Sequence, residues 1–216
     1  MTFSTEFIIL NTTKIGEKSL VLHCLTQNMG RRSFIVSIGK SSGMSLFLPL
    51  NILEGEVSEN SKSDLWRVRN ISAVEPLGGL RSSVSKNAMA MFMSEVLYRS
   101  IKDGSYEEGL FDWCKRSILT LDALKTDFSN YHLRFLLEYA GALGFSPSVE
   151  GLAPFAGEKM QELTQLLQYD FASSMLLPLN GESRGEIAEI LLQYLRYHTD
   201  SAINVRSLGV LKELFR

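Results

Sequence analysis

The chain is poor in cysteine, in long apolar runs and in net charge, and each shortage argues against a class of protein. Its 216 residues include only two cysteines, Cys24 and Cys114, which lie far apart. This spacing argues against a disulfide framework and a four-cysteine zinc site. No stretch approaches the roughly 20 apolar residues of a membrane span. Met1 to Leu10 lacks the pattern of a signal peptide, so we expect a cytoplasmic, reduced protein with no membrane partner.

The motifs that usually carry catalysis are also absent. We find no P-loop, Rossmann glycine signature, nucleophile elbow or zincin motif. His23 and Cys24 are neighbours on a predicted strand, so their side chains point to opposite faces and cannot form a dyad. We expect His132 and His198 at surface or edge positions on helices. The sequence therefore favours a protein that is not an enzyme and that needs no cofactor and no metal.

Positive charge is concentrated in the first quarter of the chain. The whole chain has a formal net charge of −2. Residues 11–53 contain one acid, Glu17, and five cations: Lys14, Lys18, Arg31, Arg32 and Lys40. Residues 81–216 contain 14 lysines and arginines against 17 acids. Because lysine and arginine neutralise backbone phosphates, this asymmetry points to nucleic acid at the N-terminal part.

Up to about Pro76 the sequence reads as short strands. Apolar residues alternate with polar ones, or form short apolar runs, in five segments bounded by turn residues. These segments are Phe7–Lys14, Ser19–Thr26, Arg31–Ser37, Asn51–Glu59 and Trp66–Ile71. Five strands in about seventy residues suit a small closed barrel, for which the OB-fold is the leading candidate. An SH3-like barrel and a loose sandwich remain open alternatives.

After Pro76 the apolar period changes to that of helices. The predicted helices are Val84–Ile101, Tyr106–Leu124, Phe128–Leu143, Glu158–Tyr169, Glu182–His198 and Val205–Phe215. A strand-rich block followed by a helix-rich block indicates an α+β protein. We expect two domains, with the barrel in residues 1–78 and an all-helical, partner-binding domain without a zinc site in residues 79–216.

Aromatic residues of the barrel segment allow two interpretations. They are Phe3, Phe7, Phe34, Phe47 and Trp66. Proteins that bind single strands usually stack bases on aromatic platforms. These five, however, lie mostly on apolar faces, which indicates core positions with the cations as a solvated rim.

The residues also resemble those of a known family, RecO. Ile8–Leu20, in which an apolar strand leads through Gly16 and Glu17 into the next apolar strand, looks like the opening of RecO proteins. The resemblance continues over most of the chain, at Thr26 with Gly30, Gly39–Lys40, Leu48–Leu50, Leu65–Glu75, Met91–Tyr98, Leu133–Phe145 and Val205–Leu211.

The resemblance implies a DNA repair and recombination mediator. Such a protein has an OB-fold joined to a helical domain, binds single- and double-stranded DNA and anneals complementary strands. It works with RecR, and it docks on the C-terminal tail of single-stranded-DNA-binding protein to help load RecA. Lys14, Lys18, Arg31, Arg32 and Lys40 are the expected phosphate contacts, and Arg134 is the expected contact for a carboxylate of the partner tail.

Two segments depart from the family pattern. Some members hold zinc with four cysteines after the third helix, whereas Gly151–Gly157 contains none, so we predict no metal site. The loop Lys40–Ser45, often strongly basic in the family, has one charge. The main rival is a helical adaptor that binds acidic proteins and has no direct DNA function. A second rival is an RNA-binding OB protein.

Overall fold

A computed structural model describes residues 2–38, 43–60 and 63–215. The N-terminal part contains five β-strands, close to the five predicted segments. They are β1 (Thr2–Ile15), β2 (Ser19–Thr26), β3 (Gly30–Ser37), β4 (Ile52–Ser58) and β5 (Leu65–Ala73). A 3-10 helix, Met44–Phe47, lies between β3 and β4.

The five strands close into a barrel in the order β1-β2-β3-β5-β4. Neighbouring strands are antiparallel except β3 and β5, which run parallel. The first part of β1 pairs with β4 and its second part with β2, with a register shift between Ile9 and Asn11. A bulge of this kind bends a strand and lets it serve two neighbours. The predicted α+β class with an N-terminal five-stranded OB-fold barrel is confirmed.

Alternate residues of the strands fill the barrel. Phe7, Leu22, Phe34 and Val57 are fully buried in one apolar cluster. Phe7 and Phe34 meet edge to face, with ring centroids 5.5 Å apart. These positions follow the two-residue period of a pleated strand, which is why the sequence alternation identifies them.

The remainder of the chain is helical. The α-helices are α1 (Gly78–Arg81), α2 (Val84–Ser100), α3 (Leu110–Ala123), α4 (Tyr131–Ala142), α5 (Val149–Ala156), α6 (Met160–Gln168), α7 (Phe171–Leu176), α8 (Gly181–Thr199) and α9 (Ser207–Leu214). The apolar pattern did not predict α1, α5 or α7. Pro154 lies inside α5, and proline usually marks a helix boundary because it lacks an N–H and its ring crowds the preceding turn.

The chain forms two compact units. The first comprises Met1–Gly78 and Ile101–Ile118, and the second comprises Gly79–Ser100 and Leu119–Arg216. The segment after α2 therefore belongs to the same unit as the barrel. The division into domains at residues 1–78 and 79–216 rests on the change from strand pattern to helix pattern in the sequence, and it stays a prediction. No helix of the described ranges is long and apolar enough to cross a membrane.

Buried polar groups hold the helical unit together. The Lys86 ammonium, on a buried position of α2, donates to the carbonyl oxygens of Asp122, at 2.9 Å, and Leu124 at the end of α3. The Glu95 carboxylate accepts from the backbone N–H and hydroxyl of Ser207 at the start of α9, at 3.0 and 2.7 Å. A cation at a helix C-terminus and an anion at an N-terminus both satisfy otherwise unpaired backbone groups.

Candidate nucleic-acid interface

The β1–β2 hairpin carries two of the predicted phosphate contacts, Lys14 at the end of β1 and Lys18 in the turn. Lys14 and Lys18 are exposed, and neither side chain has an ion pair or hydrogen bond with another described residue. Gly16, between them, has φ +61°, which glycine adopts without strain. The Ile38 N–H donates to the Lys18 carbonyl at 2.9 Å, so the turn is tied to the end of β3. We call this side, with the ends of β1, β3 and β5, the open end of the barrel.

A cleft lies at the open end because β3 and β5 diverge. Their parallel pairing covers only Ser33–Ile35 and Leu65–Arg67. Beyond these residues a cavity of about 430 Å³ opens between the two strands and the 3-10 helix. Its apolar lining residues are Val36, Leu46, Phe47, Val68 and Ile71, and its polar ones include Ser37 and Asn70. We call it the β3–β5 cleft.

Two arginines outside the predicted set of phosphate contacts border this cleft. Arg67 and Arg69 are exposed on β5 and line the cavity. Neither guanidinium has an ion pair or hydrogen bond within the described ranges. The signal for them was present, because in Trp66–Asn70 the buried Val68 stands between two arginines, and alternation places both on the opposite face.

Lys14 lies about two strand spacings from this cleft in the register. It is paired with Leu20 on β2, and Leu20 is paired with Val36, which lines the cleft. Adjacent strands are about 4.8 Å apart, so two steps across the sheet cover about 10 Å. The open end therefore has two cations that line the cleft, Arg67 and Arg69, and two more at the β1–β2 hairpin, Lys14 and Lys18.

Acidic residues near this surface are already engaged. Glu56 is opposite Arg69 in the β4–β5 register, but its carboxylate accepts from the Asn70 amide at 3.0 Å. Glu54 accepts from the Ser72 hydroxyl at 3.1 Å. These contacts hold the carboxylates along β4 and leave both arginine guanidinium groups free for a ligand.

Arg31 lies at the opposite end of the barrel and makes intramolecular contacts. Its guanidinium donates to the Ile101 carbonyl and lies 3.9 Å from the Asp103 carboxylate. Its backbone N–H donates to Ser105 at 2.9 Å, and its carbonyl accepts from Gly104 at 3.0 Å. The side chain is 12% exposed. Arg31 thus fixes the segment Ile101–Ser105 against the start of β3, and we call this the closed end.

Arg32 points to the interior side of the same end. It shares the strand face of Phe34, and its guanidinium lies 5.3 Å from the centroid of the Trp66 ring. Phe3 meets that ring edge to face at 6.4 Å. The Arg32 Nε atom is buried without a hydrogen-bond partner among the described residues. The role of Arg31 and Arg32 as phosphate contacts stays a prediction. Because both side chains are packed within the protein, we expect the salt-dependent phosphate contacts at the open end instead. Lys40 lies outside the described residues.

Arg134, the predicted partner contact, is also engaged within the chain. Its Nε donates to Glu138, four residues later on α4, at 2.6 Å. Its Nη1 atom donates to the carbonyls of Leu166 and Tyr169 at 3.4 and 3.1 Å, where α6 ends. A partner carboxylate would therefore have to compete with Glu138 for this guanidinium.

The histidines and cysteines do not form a nucleophilic site. Burial raises the pKa of both Cys24 and Cys114, which keeps them as thiols. Contrary to the expected edge position, His132 is 2% exposed, and burial lowers its pKa to about 3. The described ranges contain no group of three or more side chains suited to a metal ion.

His23 lies on the outer barrel face between two hydroxyls. Its Nε2 is 3.0 Å from the Thr13 Oγ1 atom, and its Nδ1 is 3.0 Å from the Ser33 Oγ atom. Burial lowers the pKa of His23, the positive charge of Arg31 lowers it further, and Asp103 opposes the shift. Both ring nitrogens are thus occupied by hydroxyl partners, which fits a positioned surface histidine.

Comparisons with known proteins agree with this architecture. Residues 1–77 match the family described as "Recombination protein O N terminal", and residues 81–153 match "Recombination protein O C terminal". The chain is 31% identical to DNA repair protein RecO of Flavobacterium psychrophilum over the whole of both chains. It is 29% identical to DNA repair protein RecO of Bacteroides fragilis, with 98% of each chain covered. The chain therefore belongs to the RecO family of DNA repair proteins.

Proposed function

We propose that this protein is a cytoplasmic, nucleoid-associated mediator of DNA repair and recombination. It binds single- and double-stranded DNA and anneals complementary strands. With RecR, it helps to load RecA onto DNA coated by single-stranded-DNA-binding protein. Membership of the RecO family and the charge of the open end support this proposal.

The observation that carries the DNA part is the set of free cations at the open end of the barrel. Lys14, Lys18, Arg67 and Arg69 are exposed and have no ion pair among the described residues. Lysine and arginine at such positions bind phosphates without reading base sequence. We propose these four as phosphate contacts, with Lys40 as a fifth.

Annealing by such a surface requires no covalent chemistry. Two complementary strands repel each other through their phosphates, and cations that neutralise part of this charge lower the barrier to encounter. Base pairing then proceeds by itself. This mechanism uses only the positive charges of the arginine and lysine side chains. It requires no general acid, general base or metal.

We further propose that the acidic tail of single-stranded-DNA-binding protein docks near Arg134. A tail carboxylate would replace Glu138 as the partner of the guanidinium. The pair formed by Arg134 and Glu138 is partly exposed, at 22% and 38% of the side chains, and exposed pairs contribute at most about 1 kcal/mol. Replacing the Glu138 carboxylate by a tail carboxylate therefore costs little free energy.

The decisive experiment is an annealing assay with two complementary oligonucleotides coated by the cognate single-stranded-DNA-binding protein. We expect the protein to accelerate pairing, and we expect added salt or deletion of the acidic tail to remove the acceleration. The variant with Lys14, Lys18, Arg67 and Arg69 replaced by alanine should be slow. A control with Lys125→Ala and Arg206→Ala, two exposed cations of the helical unit, should match the wild type.

Other outcomes identify the rival functions. If the protein binds an acidic peptide in a salt-dependent way but neither binds DNA nor accelerates annealing, it is an adaptor. If an RNA oligonucleotide displaces labelled DNA of the same sequence at much lower concentration than unlabelled DNA does, RNA is the ligand. Arg134→Ala with normal tail-dependent annealing would remove that residue from the docking site.

A further inference from the structure

The β3–β5 cleft offers a feature that phosphate binding alone does not use. Its lining includes Arg67 and Arg69, but half of the lining residues are apolar, among them Phe47 and Val68, which are nearly buried. A phosphate gains nothing from this apolar part, because burying an anion there without partners is unfavourable. The lining therefore suits a planar, largely apolar group joined to a phosphate.

We propose that the cleft accepts a single unpaired nucleobase of a DNA strand whose phosphates lie on the surrounding cations. This inference rests on the proposed DNA-binding function and specifies which form of DNA the open end prefers. The cavity of about 430 Å³ lies in the range of about 300–1,000 Å³ that is typical of small-ligand sites.

The polar groups of the lining are placed to meet the edge of a base. Ser37 contributes a hydroxyl on the β3 side, and Asn70, whose Nδ2 donates to Glu56, contributes its amide oxygen on the β5 side. The strand edges on the two sides of the cleft are not paired with each other beyond Ile35 and Arg67. A base that slides between them contacts apolar side chains with its faces and polar groups with its edge.

Positive charge favours a nucleic acid over a peptide strand as the occupant. An extended peptide could also insert between two open strand edges. Arg67 and Arg69 line this cleft, however, and Lys14 and Lys18 lie at the β1–β2 hairpin at the same end of the barrel. The nearby Glu54 and Glu56 carboxylates already accept hydrogen bonds from β5. One phosphate per nucleotide provides a regularly spaced partner for these cations, whereas a neutral peptide does not.

Occupancy by an unpaired base distinguishes reactant from product in annealing. A base in a duplex must first be unpaired and unstacked before it enters a pocket, whereas a base in a single strand largely avoids this cost. Pairing therefore removes the base from the cleft. The protein then binds the two single strands more tightly than the duplex, and the duplex is released.

The test compares strands that have the same phosphates but differ in bases. One probe is a labelled oligothymidylate, and the other is an oligonucleotide of equal length in which every site is abasic. We expect the wild type to bind the thymidylate about tenfold more tightly, since stacking of a base on protein contributes roughly that factor. Binding is measured by fluorescence anisotropy at one fixed salt concentration.

Two variants fill the cleft from opposite sides. Ser37→Leu adds a branched side chain at an exposed strand position. Gly43→Leu acts from the loop side, where a Cβ meets, among the described residues, the Ser45 hydroxyl at 3.5 Å, and φ is −64°. We expect both to lose the preference for thymidylate while they still bind the abasic strand. Ser4→Leu, an exposed position on β1, is the matched control and should keep the preference.

The outcomes separate this inference from the proposed function. If the wild type binds neither strand at low salt, the DNA function itself is wrong. If it binds both strands equally, or if both folded cleft variants keep the wild-type preference, DNA binding stands and the nucleobase site is overturned. Circular dichroism of each variant establishes that it is folded.

Discussion

The two ends of the barrel both carry cations but use them in opposite ways. At the closed end, Arg31 donates to the Ile101 carbonyl and Arg32 packs against Trp66. At the open end, Lys14 and Lys18 have no partner among the described residues. Charge is therefore available to a ligand only where the fold leaves the side chain unpaired. Matched substitutions at the two ends test this difference.

The largest expected effect concerns two turn glycines, one at each end. Gly30 and Gly16 have similar positive φ values, +64° and +61°. A Cβ on Gly30 would overlap the backbone of Ser105 and Tyr106, whereas one on Gly16 meets no atom of the described residues within 4 Å. We expect Gly30→Ala to lower the free energy of unfolding by about 3 kcal/mol or more. Gly16→Ala should cost about 1 kcal/mol, the ordinary penalty of a left-handed residue.

Urea denaturation of the two alanine variants measures this pair. Both substitutions remove the same backbone freedom, so the difference between them isolates the contact with Ser105 and Tyr106. Equal losses would mean that the segment after α2 does not pack on the closed end as described.

Arginine and lysine substitutions give the next largest effect. Arg31→Ala leaves the Ile101 carbonyl without its charged donor, and we expect a loss of about 2 kcal/mol in the free energy of unfolding. Lys18→Ala should change it by no more than about 0.5 kcal/mol, because an exposed side chain without partners contributes little. Urea denaturation measures the free energy of unfolding of both variants. A loss for Lys18→Ala equal to that for Arg31→Ala would contradict the assignment of the two ends.

The salt dependence of DNA binding should change on substitution at the open end and not on substitution at the closed end. For the double variant with Lys14→Ala and Lys18→Ala, we expect the slope of log affinity against log salt on single strands to become about 1.4 less steep, or about 0.7 per lost contact. Arg31→Ala should keep the wild-type slope. Anisotropy titrations at several salt concentrations measure it, at a temperature where each variant is folded. Flattening by Arg31→Ala alone would move the DNA site to the closed end.

The smallest effect is on the titration of His23. Burial and the charge of Arg31 lower its pKa, so Arg31→Gln should raise the pKa toward its usual value, and Lys18→Gln should not. NMR of the imidazole resonances gives both values.

The sign for stability follows from the direction of this shift. The unfolded histidine, with a pKa of about 6.5, binds more protons than the folded one. His23 therefore lowers the stability of the fold as pH falls below about 6.5, and Arg31→Gln should weaken that loss. A variant with an unchanged imidazole titration would show that Arg31 does not act on His23.

Strands and long helices could be predicted because their signals are local. β2 was predicted at Ser19–Thr26, the bounds that the structure has, and β3, β4 and β5 differ by at most two residues at each end. The helix α5 was missed because the local meaning of Pro154 is a helix boundary. In the structure the Ser148 hydroxyl accepts from the Gly151 N–H at 3.0 Å, and this cap supports the short helix.

The site could be predicted only in part. Lys14 and Lys18 flank the turn at Gly16, where side chains are exposed. Arg67 and Arg69 could have been found from the alternation around Val68. The contacts of Arg31 could not, because its partners lie about seventy residues further along the chain and no local pattern records them.

The sequence by itself determined the class of the fold, the positions of the strands and the excess of cations between residues 11 and 53. These properties depend on the period of apolar residues and on composition, both of which are local. Only the tertiary structure decided which cations are free. It brought β3 beside β5 and then separated them to form the cleft, and it placed Ile101–Ser105 against Arg31. Such pairings join residues far apart in the chain, and their geometry arises from closure of the barrel.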